Sequence, residues 1–188
     1  MSSALVTLYA RTGRTPPAAL ADWEDRVDVW CAEYLQAFPD AALSEMNLDL
    51  AVFQFDHTAE RVTLAYAVSV EQLMRRDAGR MRGFPNVNAS VRRVLGEQAF
   101  VADKGHFLGH ASGGILDINL FPQRRELNRG WSEEGKRFRG MERHVAEHPG
   151  VFFYHRALYR DDSWIPATLE YGVLLDDTRW WVQRFRNI

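Results

Sequence analysis

The sequence predicts an α+β fold built around an antiparallel β-sheet. Apolar residues near the N-terminus recur every three or four positions, whereas two later regions alternate apolar and polar residues with a period of two. The alternating segments follow one another across short turns, which favours antiparallel neighbours. With 188 residues, of which 46% are hydrophobic and 26% charged, the chain is long enough to bury the core of a single domain.

The first predicted element is a helix over 15–38. Thr15 is positioned as its cap and Pro16 in its first turn, and apolar residues then recur at helical spacing. These residues are Leu20, Trp23, Val27, Trp30, Tyr34 and Phe38. Pro39 ends the pattern, and the segment ALSEMNLDL at 42–50 is expected to form a short second helix.

The next segment, AVFQFDHTAERVTLAYAV at 51–68, predicts a β-hairpin. Two alternating runs rich in β-branched and aromatic residues flank the turn DHTAE, and this arrangement is typical of paired strands. A basic helix is expected over 71–82, followed by a loop over 83–90, where Gly, Pro, Asn and Ser accumulate. A strand is expected within 92–105.

The second half of the chain predicts a loop, a helix and a group of strands, in that order. Glycines, prolines and asparagines indicate an irregular loop over 103–131 that holds one short strand near 117–121. A helix follows over 132–148, with Ser132 as N-cap and Pro149 and Gly150 as its stop. Residues 151–185 alternate and are interrupted twice, which predicts three strands in a meander.

Cysteine content and hydropathy bear on the cellular compartment. Cys31 is the single cysteine, so an internal disulfide is impossible and a reducing environment is expected. The N-terminus lacks the basic start and apolar run of a signal peptide, and no stretch approaches the roughly 18 apolar residues of a membrane span. We therefore expect a cytoplasmic protein without membrane contact; delivery by a specialised secretion system would leave no trace of this kind.

Charge is distributed unevenly along the chain. Residues 20–60 contain ten Asp or Glu and one Arg, whereas basic residues cluster at 74–83, 92–93 and 122–143. One acidic and one basic region suit a protein that meets a polyanion with one face only. The alternative interpretation is a set of solvated helix faces with no partner.

The segment DKGHFLGHASGG at 103–114 raises the question of a metal or catalytic site. His106 and His110 are four residues apart, but Gly105, Gly109 and the later glycines make a helix improbable, and no third ligand follows at zinc spacing. A zinc site is therefore not predicted. Isolated histidines are usually structural or surface residues, and we interpret five in this way: His57, His110, His144, His148 and His155.

Several segments taken together carry a more specific signal. They are DKGH at 103–106, GG at 113–114, NLFPQ at 119–123, LNRGW at 127–131 and ME at 141–142. In this order they resemble the DNA/RNA non-specific endonuclease family, the ββα-metal or His-Me finger nucleases with an Asp-Arg-Gly-His signature. The resemblance covers about residues 92–174. It implies a ββα-metal nuclease domain over 49–188. The acidic helical arm at 1–48 has no counterpart in that family, and we expect it to pack on the core.

The resemblance also implies a mechanism of phosphodiester hydrolysis. His106 would be the general base that deprotonates the attacking water, because an imidazole titrates near neutral pH. Asn128 would be the metal ligand, since an amide oxygen suits a hard cation such as Mg²⁺, or Mn²⁺ in its place, that keeps several waters. The ion would contact a phosphate oxygen and the leaving 3′ oxygen, and the product would carry a 5′-phosphate.

Glu142 matches the family carboxylate that orients a metal-bound water. Fourteen positions separate it from Asn128, more than the two helical turns common in the family. Either the helix starts later behind a longer loop, or Glu133 or Glu134 takes this role. Asp103 is expected to accept bonds from the backbone or from Lys104 and to pin the loop.

The remaining matched residues are expected to brace the site or hold phosphate. Asn119 and Gln123 correspond to residues that brace the loop and the metal-bound asparagine. Lys104 stands where many members have arginine. A lysine keeps the positive charge but cannot bind a phosphate through two parallel N–H groups, the bidentate fork of arginine. Arg129 could supply that fork, and the alternatives are Arg124, Arg125 and Arg143.

The function predicted from these residues is a metal-dependent endonuclease that cuts DNA and RNA with little sequence preference, because contacts to phosphate carry no base information. Two alternatives stay open: a non-catalytic nucleic-acid-binding module on the same fold, and a nuclease toxin domain with an inhibitor protein as partner. Trp131, with the tryptophans at 164, 180 and 181, could stack on bases or lie in the core. The acidic arm could serve as core packing, as a docking surface for a regulatory partner, or as a shield over the basic groove.

Overall fold

The computed structural model describes residues 3–48, 50–71, 86–114 and 117–188. The helices in these ranges are α1 (Ser3–Arg11), α2 (Trp23–Ala37), α3 (Val87–Leu95), α4 (Arg125–Asn128) and α5 (Glu133–Glu147). The strands are β1 (Leu43–Leu48), β2 (Ala51–Asp56), β3 (Arg61–Val68), β4 (Ala102–His106), β5 (Leu120–Arg124), β6 (Phe152–Leu158), β7 (Thr168–Leu175) and β8 (Arg179–Arg186). Among the described helices, none is both long enough and apolar enough to cross a membrane.

The strands form two antiparallel sheets. The larger sheet has the order β1-β2-β3-β6-β7-β8, and every neighbouring pair in it is antiparallel. The smaller sheet consists of β4 paired antiparallel with β5. The predicted α+β fold with an antiparallel sheet is thus confirmed, as are the hairpin at 51–68 and the C-terminal meander of three strands.

The larger sheet separates two hydrophobic layers. Along β3, Leu64 and Tyr66 point to one face, where they pack with residues of α1 and α2 such as Trp23. Ala65 and Ala67 point to the other face, where the core includes residues of the turn after β4, of β5 and of α5. Both faces of the central strands are therefore covered, one by the N-terminal helices and the other by the small sheet with α5.

The N-terminal helices are bound to the sheet by a cluster of aromatic rings. Trp23 of α2 contacts Phe152 and Tyr66 with ring centroids 4.8 and 5.3 Å apart, and Trp180 stacks on it at 5.9 Å. Asp25 and other acidic residues of α2 lie on its exposed side. Burying a side chain as large as Trp23 contributes about 1.5–3 kcal/mol or more, so the arm is part of the folded core.

The predicted short helix at 42–50 is wrong, because residues 43–48 form β1. This strand pairs in register with β2, from Leu43 opposite Asp56 to Leu48 opposite Ala51. Alanine, leucine, glutamate and methionine favour a helix locally, but an adjacent strand with an open edge outweighs so weak a preference. The predicted boundary between 48 and 49 therefore falls between two paired strands of one sheet.

The region before the histidine motif also differs from expectation. Residues 87–95, predicted as loop and strand, form α3, whose N-cap Asn86 accepts hydrogen bonds from the backbone of Asn88 and Ala89. Val87, Val91 and Leu95 have helical spacing, which the predicted loop composition obscured. Only the last part of the predicted strand is correct, since β4 begins at Ala102. The basic helix expected over 71–82 lies almost entirely outside the described residues.

Candidate functional site

A cleft of about 860 Å³ opens between the end of β4, the turn after it, the α4–α5 connection and α5. It brings together the five residues predicted to do chemistry or bind metal: Lys104, His106, Asn128, Arg129 and Glu142. The remaining lining residues are Glu71, Gly109, His110, Ala111, Ser112, Arg139, Arg143, Ala146 and Glu147. We call this the His106 cleft. Residues from both halves of the motif thus meet at one surface, although up to 38 positions separate them in sequence.

His106 is the last residue of β4 and lies opposite Leu120 in the small sheet. The backbone that follows it is fixed by Asn119, which is completely buried. The Asn119 carbonyl accepts from the Phe107 amide at 3.0 Å, and its carboxamide both accepts from and donates to Leu108 at 2.8 Å. Asn119 therefore holds the loop after His106, as a brace is expected to do.

The other end of β4 has a matching clamp that the sequence did not indicate. Asn88 of α3 donates to the Ala102 carbonyl and accepts from the Ala102 amide, both at 2.9 Å. Two asparagine carboxamides thus pair with the backbone at the two ends of the segment that carries His106. Because each pair satisfies one backbone donor and one acceptor, this segment is held without a third strand.

Glycines allow the chain to turn back after His106. Gly113 has φ of +94°, a left-handed conformation that costs a side chain 1–2 kcal/mol or so. Gly114 packs directly against the Leu108 carbonyl, so that any Cβ at this position would collide with backbone. Glycine is therefore needed at 113 for its backbone conformation and at 114 for steric reasons.

Asn128 is the last residue of α4, and its side chain is oriented by Asp103. The Asn128 Nδ2 group donates to Asp103 Oδ2 at 3.5 Å. Because the amide nitrogen faces a carboxylate, the Oδ1 atom lies on the opposite side of the amide group. The asparagine is therefore oriented as an oxygen donor rather than a nitrogen donor.

Asp103 is the centre of a charged network and has different partners from those expected. Its carboxylate accepts from Arg125 at 3.1 Å and twice from Arg129, at 2.5 and 3.2 Å, rather than from the backbone or Lys104. Burial alone would raise the pKa of the Asp103 carboxyl, but the hydrogen bonds from Arg129, Arg125 and Asn128 outweigh it and lower that pKa. The carboxylate form is therefore the one that organises these three side chains.

The Asp103 network determines which guanidinium groups can still bind a phosphate through two parallel N–H groups. The Nε and Nη2 atoms of Arg129 both face Asp103, so that edge of the guanidinium is engaged within the protein. Arg139 and Arg143 of α5 also line the cleft, together with Lys104. Three carboxylates line it as well, those of Glu71, Glu142 and Glu147, so the lining carries charges of both signs. Arg125 lies beside Lys104 in an adjacent groove, and Arg124 approaches Phe100 instead.

The position of α5 resolves which glutamate reaches the cleft. The helix begins at Glu133, with Ser132 accepting from the Gly135 amide at 2.9 Å, so it starts late behind the α4 turn. Glu133 is exposed beside Lys136, and Glu134 accepts from the Arg186 amide at 2.6 Å. Glu142, two turns further on, lines the cleft. The spacing from Asn128 to Glu142 thus consists of the turn at 129–132 and the first part of α5.

Glu142 is a largely enclosed carboxylate with one cationic partner. Its side chain is 19% exposed, and Arg139 Nη1 donates to its Oε2 at 2.6 Å. Burial raises the pKa of Glu142, and the charge and hydrogen bond of Arg139 offset part of that rise. Its Oε1 lies near Gly109, across the cleft from α5. Arg139 was not singled out from the sequence, although its three-residue spacing from Glu142 on a helix is a recognisable signal.

Gln123 supports the small sheet from within. It lies opposite Asp103 in the β4–β5 register and packs against Gly105, where a Cβ would collide with its side chain. Its Nε2 atom is buried and donates to no described residue. Asn187 clamps β5 from outside, accepting from the Arg124 amide at 2.8 Å and donating to the Pro122 carbonyl at 3.0 Å. Gln123 therefore acts through packing between the strands.

The other histidines occupy varied positions. His155 is buried beside Tyr171, with ring centroids 3.8 Å apart, and burial lowers the pKa of His155 to about 3. His144 and His148 stack at 4.2 Å at the end of α5, and His57 is an exposed residue that contacts Ser44. His110, interpreted as a structural residue, lines the cleft.

The donor set of the cleft fits a hard divalent cation. No group of three or more His, Cys, Asp or Glu side chains able to hold a metal occurs in the described parts of the chain, so the dense cluster typical of zinc is not found there. The Asn128 amide oxygen and the Glu142 carboxylate are both hard oxygen donors on the cleft wall. Few protein oxygens beside open, polar space suit Mg²⁺, which retains most of its waters.

Comparison with known proteins gives no match: neither a family model nor a curated protein is similar to this chain.

Proposed function

We propose that the chain is a metal-dependent endonuclease that hydrolyses the phosphodiester bonds of DNA and RNA with little sequence preference. The observation that carries the proposal is the convergence of His106, Asn128 and Glu142 in one cleft. A base, an oxygen donor for a cation and a partly buried carboxylate are the groups that such a hydrolysis needs. Proximity of all three to one another is required if they act on one phosphate.

The arrangement of elements supports the same proposal. β4 and β5 form an antiparallel pair. Phe138, Met141 and Val145 of α5 share a core with Phe121 of β5 and with Phe107, which follows β4. Two strands followed by a helix, with a histidine on the first strand and a carboxylate on the helix, correspond to the ββα-metal core of the nucleases that the sequence resembles. We assign residues 102–147 to this core.

His106 would act on the attacking water. An imidazole near neutral pH accepts a proton as the water oxygen forms its bond to phosphorus. The bond between phosphorus and the 3′ oxygen then breaks, and that oxygen takes a proton from water. The products carry a 5′-phosphate and a 3′-hydroxyl. Asn88 and Asn119 contribute by fixing the backbone on both sides of His106, because a displaced base loses much of its effect.

Asn128 and Glu142 would hold the cation and its waters. When bound, Mg²⁺ supplies positive charge that stabilises the phosphate in the transition state. Asp103 orients the Asn128 amide through its nitrogen, which directs the oxygen away from the Asp103 network. Arg139 keeps Glu142 paired and limits the cost of burying its charge.

Substrate contact is expected to be with phosphate and sugar. Lys104, Arg139 and Arg143 give the cleft positive charge at several points. Such groups bind the phosphate backbone without reading base edges, so cutting has little sequence preference and weakens as salt rises.

The engagement of Arg129 with Asp103 favours one alternative, a module that binds nucleic acid without cutting it. Lys104 cannot bind a phosphate through two parallel N–H groups. The Nε and Nη2 groups of Arg129, which could do so, donate to Asp103 instead. Both the enzyme and the binding module would bind nucleic acid, so a binding measurement does not distinguish them. Only the enzyme would cut the bound strand repeatedly.

The test is incubation of the purified chain with supercoiled plasmid and with RNA, in Mg²⁺ or in EDTA, followed by analysis of the fragment ends. We expect nicking and then degradation in Mg²⁺, none in EDTA, and ends that carry 5′-phosphate and 3′-hydroxyl. Binding of both nucleic acids without any cutting would support the binding module instead. Cutting that persists in EDTA would contradict the proposed chemistry.

A further inference from the structure

Trp131 lies beside the His106 cleft with an exposed ring. It is 62% exposed, whereas the other tryptophans are buried or half-buried. Trp23, Trp30 and Trp180 form one aromatic cluster, Trp181 packs against the core and His144, and Trp164 packs beside α3. An indole exposed to this extent leaves a large apolar area in water, and tryptophan is enriched at binding interfaces.

The backbone of the α4–α5 turn fixes where this ring lies. The Trp131 amide donates to the Glu126 carbonyl at 2.9 Å, and Gly130 adopts a φ of +70° that lets the turn close. Gly130 also packs tightly against the Arg139 side chain and Gly135 of α5. The turn is therefore anchored both to α4, which ends at Asn128, and to the helix that carries Glu142.

Arg129 links the ring to the cleft. Its guanidinium carbon lies 5.0 Å from the centre of the Trp131 ring, within cation–π range, and Asp103 holds the same guanidinium from another side. Because Arg129 also lines the cleft, the indole lies one side chain away from the place where a phosphate would bind. The contact between Arg129 and Trp131 gives a cation and an aromatic plane next to each other.

We propose that Trp131 is a stacking platform for an unpaired nucleobase of the bound strand, and that the chain therefore prefers single-stranded or locally unpaired nucleic acid. The inference rests on the proposed function, because it assumes that a phosphate occupies the His106 cleft. A nucleotide presents a negative phosphate and a flat aromatic base, which match Arg129 and the indole. In a duplex both faces of each internal base are stacked, so only an unpaired base can bind in this way.

The test measures binding without cutting. Fluorescence anisotropy of a short labelled oligothymidine, and of the same strand in a duplex, is recorded in Mg²⁺ with the His106→Ala variant and with variants that add Trp131→Ala or Trp131→Phe. We expect Trp131→Ala to weaken single-strand binding about tenfold and duplex binding hardly at all, because loss of one base stack has that size. Trp131→Phe keeps an aromatic face and should recover most of the loss.

A matched control and a modified substrate separate stacking from a change in the fold. Val29→Ala removes another exposed apolar side chain, on α2 on the far side of the larger sheet, and should leave both affinities unchanged. An oligothymidine with abasic sites should bind the Trp131→Ala protein and its Trp131-containing parent equally. If Trp131→Ala leaves the preference for single strands unchanged, the platform is disproved, although the nuclease proposal survives. If the parent protein binds no nucleic acid, the proposed function fails together with it.

Discussion

Replacement of His106 by alanine is expected to reduce the rate of plasmid and RNA cleavage at least about a hundredfold, the usual scale for loss of a general base. The imidazole lies at the end of β4, on the cleft wall shared with Asn128 and Glu142. The rate is to be measured under single-turnover conditions, so that the result reports the chemical step rather than product release. Addition of free imidazole should recover part of the rate, because a small base can occupy the space that the side chain leaves.

The control for this substitution is His57→Ala. His57 lies in the β2–β3 turn and contacts Ser44, away from the cleft lining. The His57→Ala protein should therefore cut plasmid and RNA at the wild-type rate. A His106→Ala protein that is folded and cuts as fast as the wild type would remove His106 from the mechanism, and a loss that imidazole does not reverse would indicate a structural role instead.

Substitution of Asn128 by alanine should have a comparable effect through the cation. Asn128 lines the cleft, and alanine offers no oxygen ligand in place of its carboxamide. We expect a loss of about a hundredfold or more at limiting Mg²⁺, with partial recovery as the ion concentration rises, because removal of a ligand weakens binding of the metal.

A second substitution at the same position distinguishes metal binding from structure. Asn128→Asp keeps a hard oxygen ligand but loses the donor that faces Asp103, where two arginines can neutralise the added charge. It should retain more activity than Asn128→Ala and respond to Mg²⁺ at lower concentration. Asn47→Ala, on the exposed edge strand β1, serves as the matched control. Equal activity of Asn128→Ala and wild type at every Mg²⁺ concentration would contradict the assignment of Asn128 as a ligand.

Sequence patterns predicted the elements with strong periodicity and the residues of the motif. The strands β2, β3 and β6–β8 have regular spacing of apolar residues and lie where that spacing predicts them. The helix predicted over 15–38 is confirmed only in part, because α2 begins at Trp23 and Thr15 is not its cap. The candidate residues at 104, 106, 128, 129 and 142 meet in one cleft because the small sheet and α5 share a core. Periodicity and motif order are local signals, and they suffice where local preference agrees with the fold.

Features that depend on distant partners were not predictable in the same way. β1 exists because β2 offers it an edge, and the helix preference of its residues points elsewhere. Asn88 and Asn187 are ordinary polar residues in the sequence, and only the fold brings their carboxamides to the backbone of β4 and β5. The Asp103 network joins residues 22 to 26 positions apart, so its members could not be paired from spacing.

Three roles were considered for the acidic arm: core packing, a docking surface and a shield over the basic groove. The packing of the arm supports the first role and excludes the third. Trp23 and Val27 of α2 are buried against one face of the larger sheet, whereas the residues that build the cleft lie on the other. The described part of the arm therefore contributes to the core and does not cover the cleft. Its exposed acidic side faces solvent, on the opposite side of the larger sheet from the His106 cleft.

The central claim is that His106 and Asn128 face the same bound cation. It is tested most directly by NMR, with the side-chain signals of His106, Asn128 and His57 followed as Mn²⁺ is added to the full chain. We predict that the His106 ring and Asn128 carboxamide signals broaden at ion concentrations that leave those of His57 sharp, and that Asn128→Ala abolishes the broadening at His106. If the His106 and Asn128 signals stay as sharp as those of His57 at an ion concentration that supports cutting, the cation is bound elsewhere and the claim is wrong.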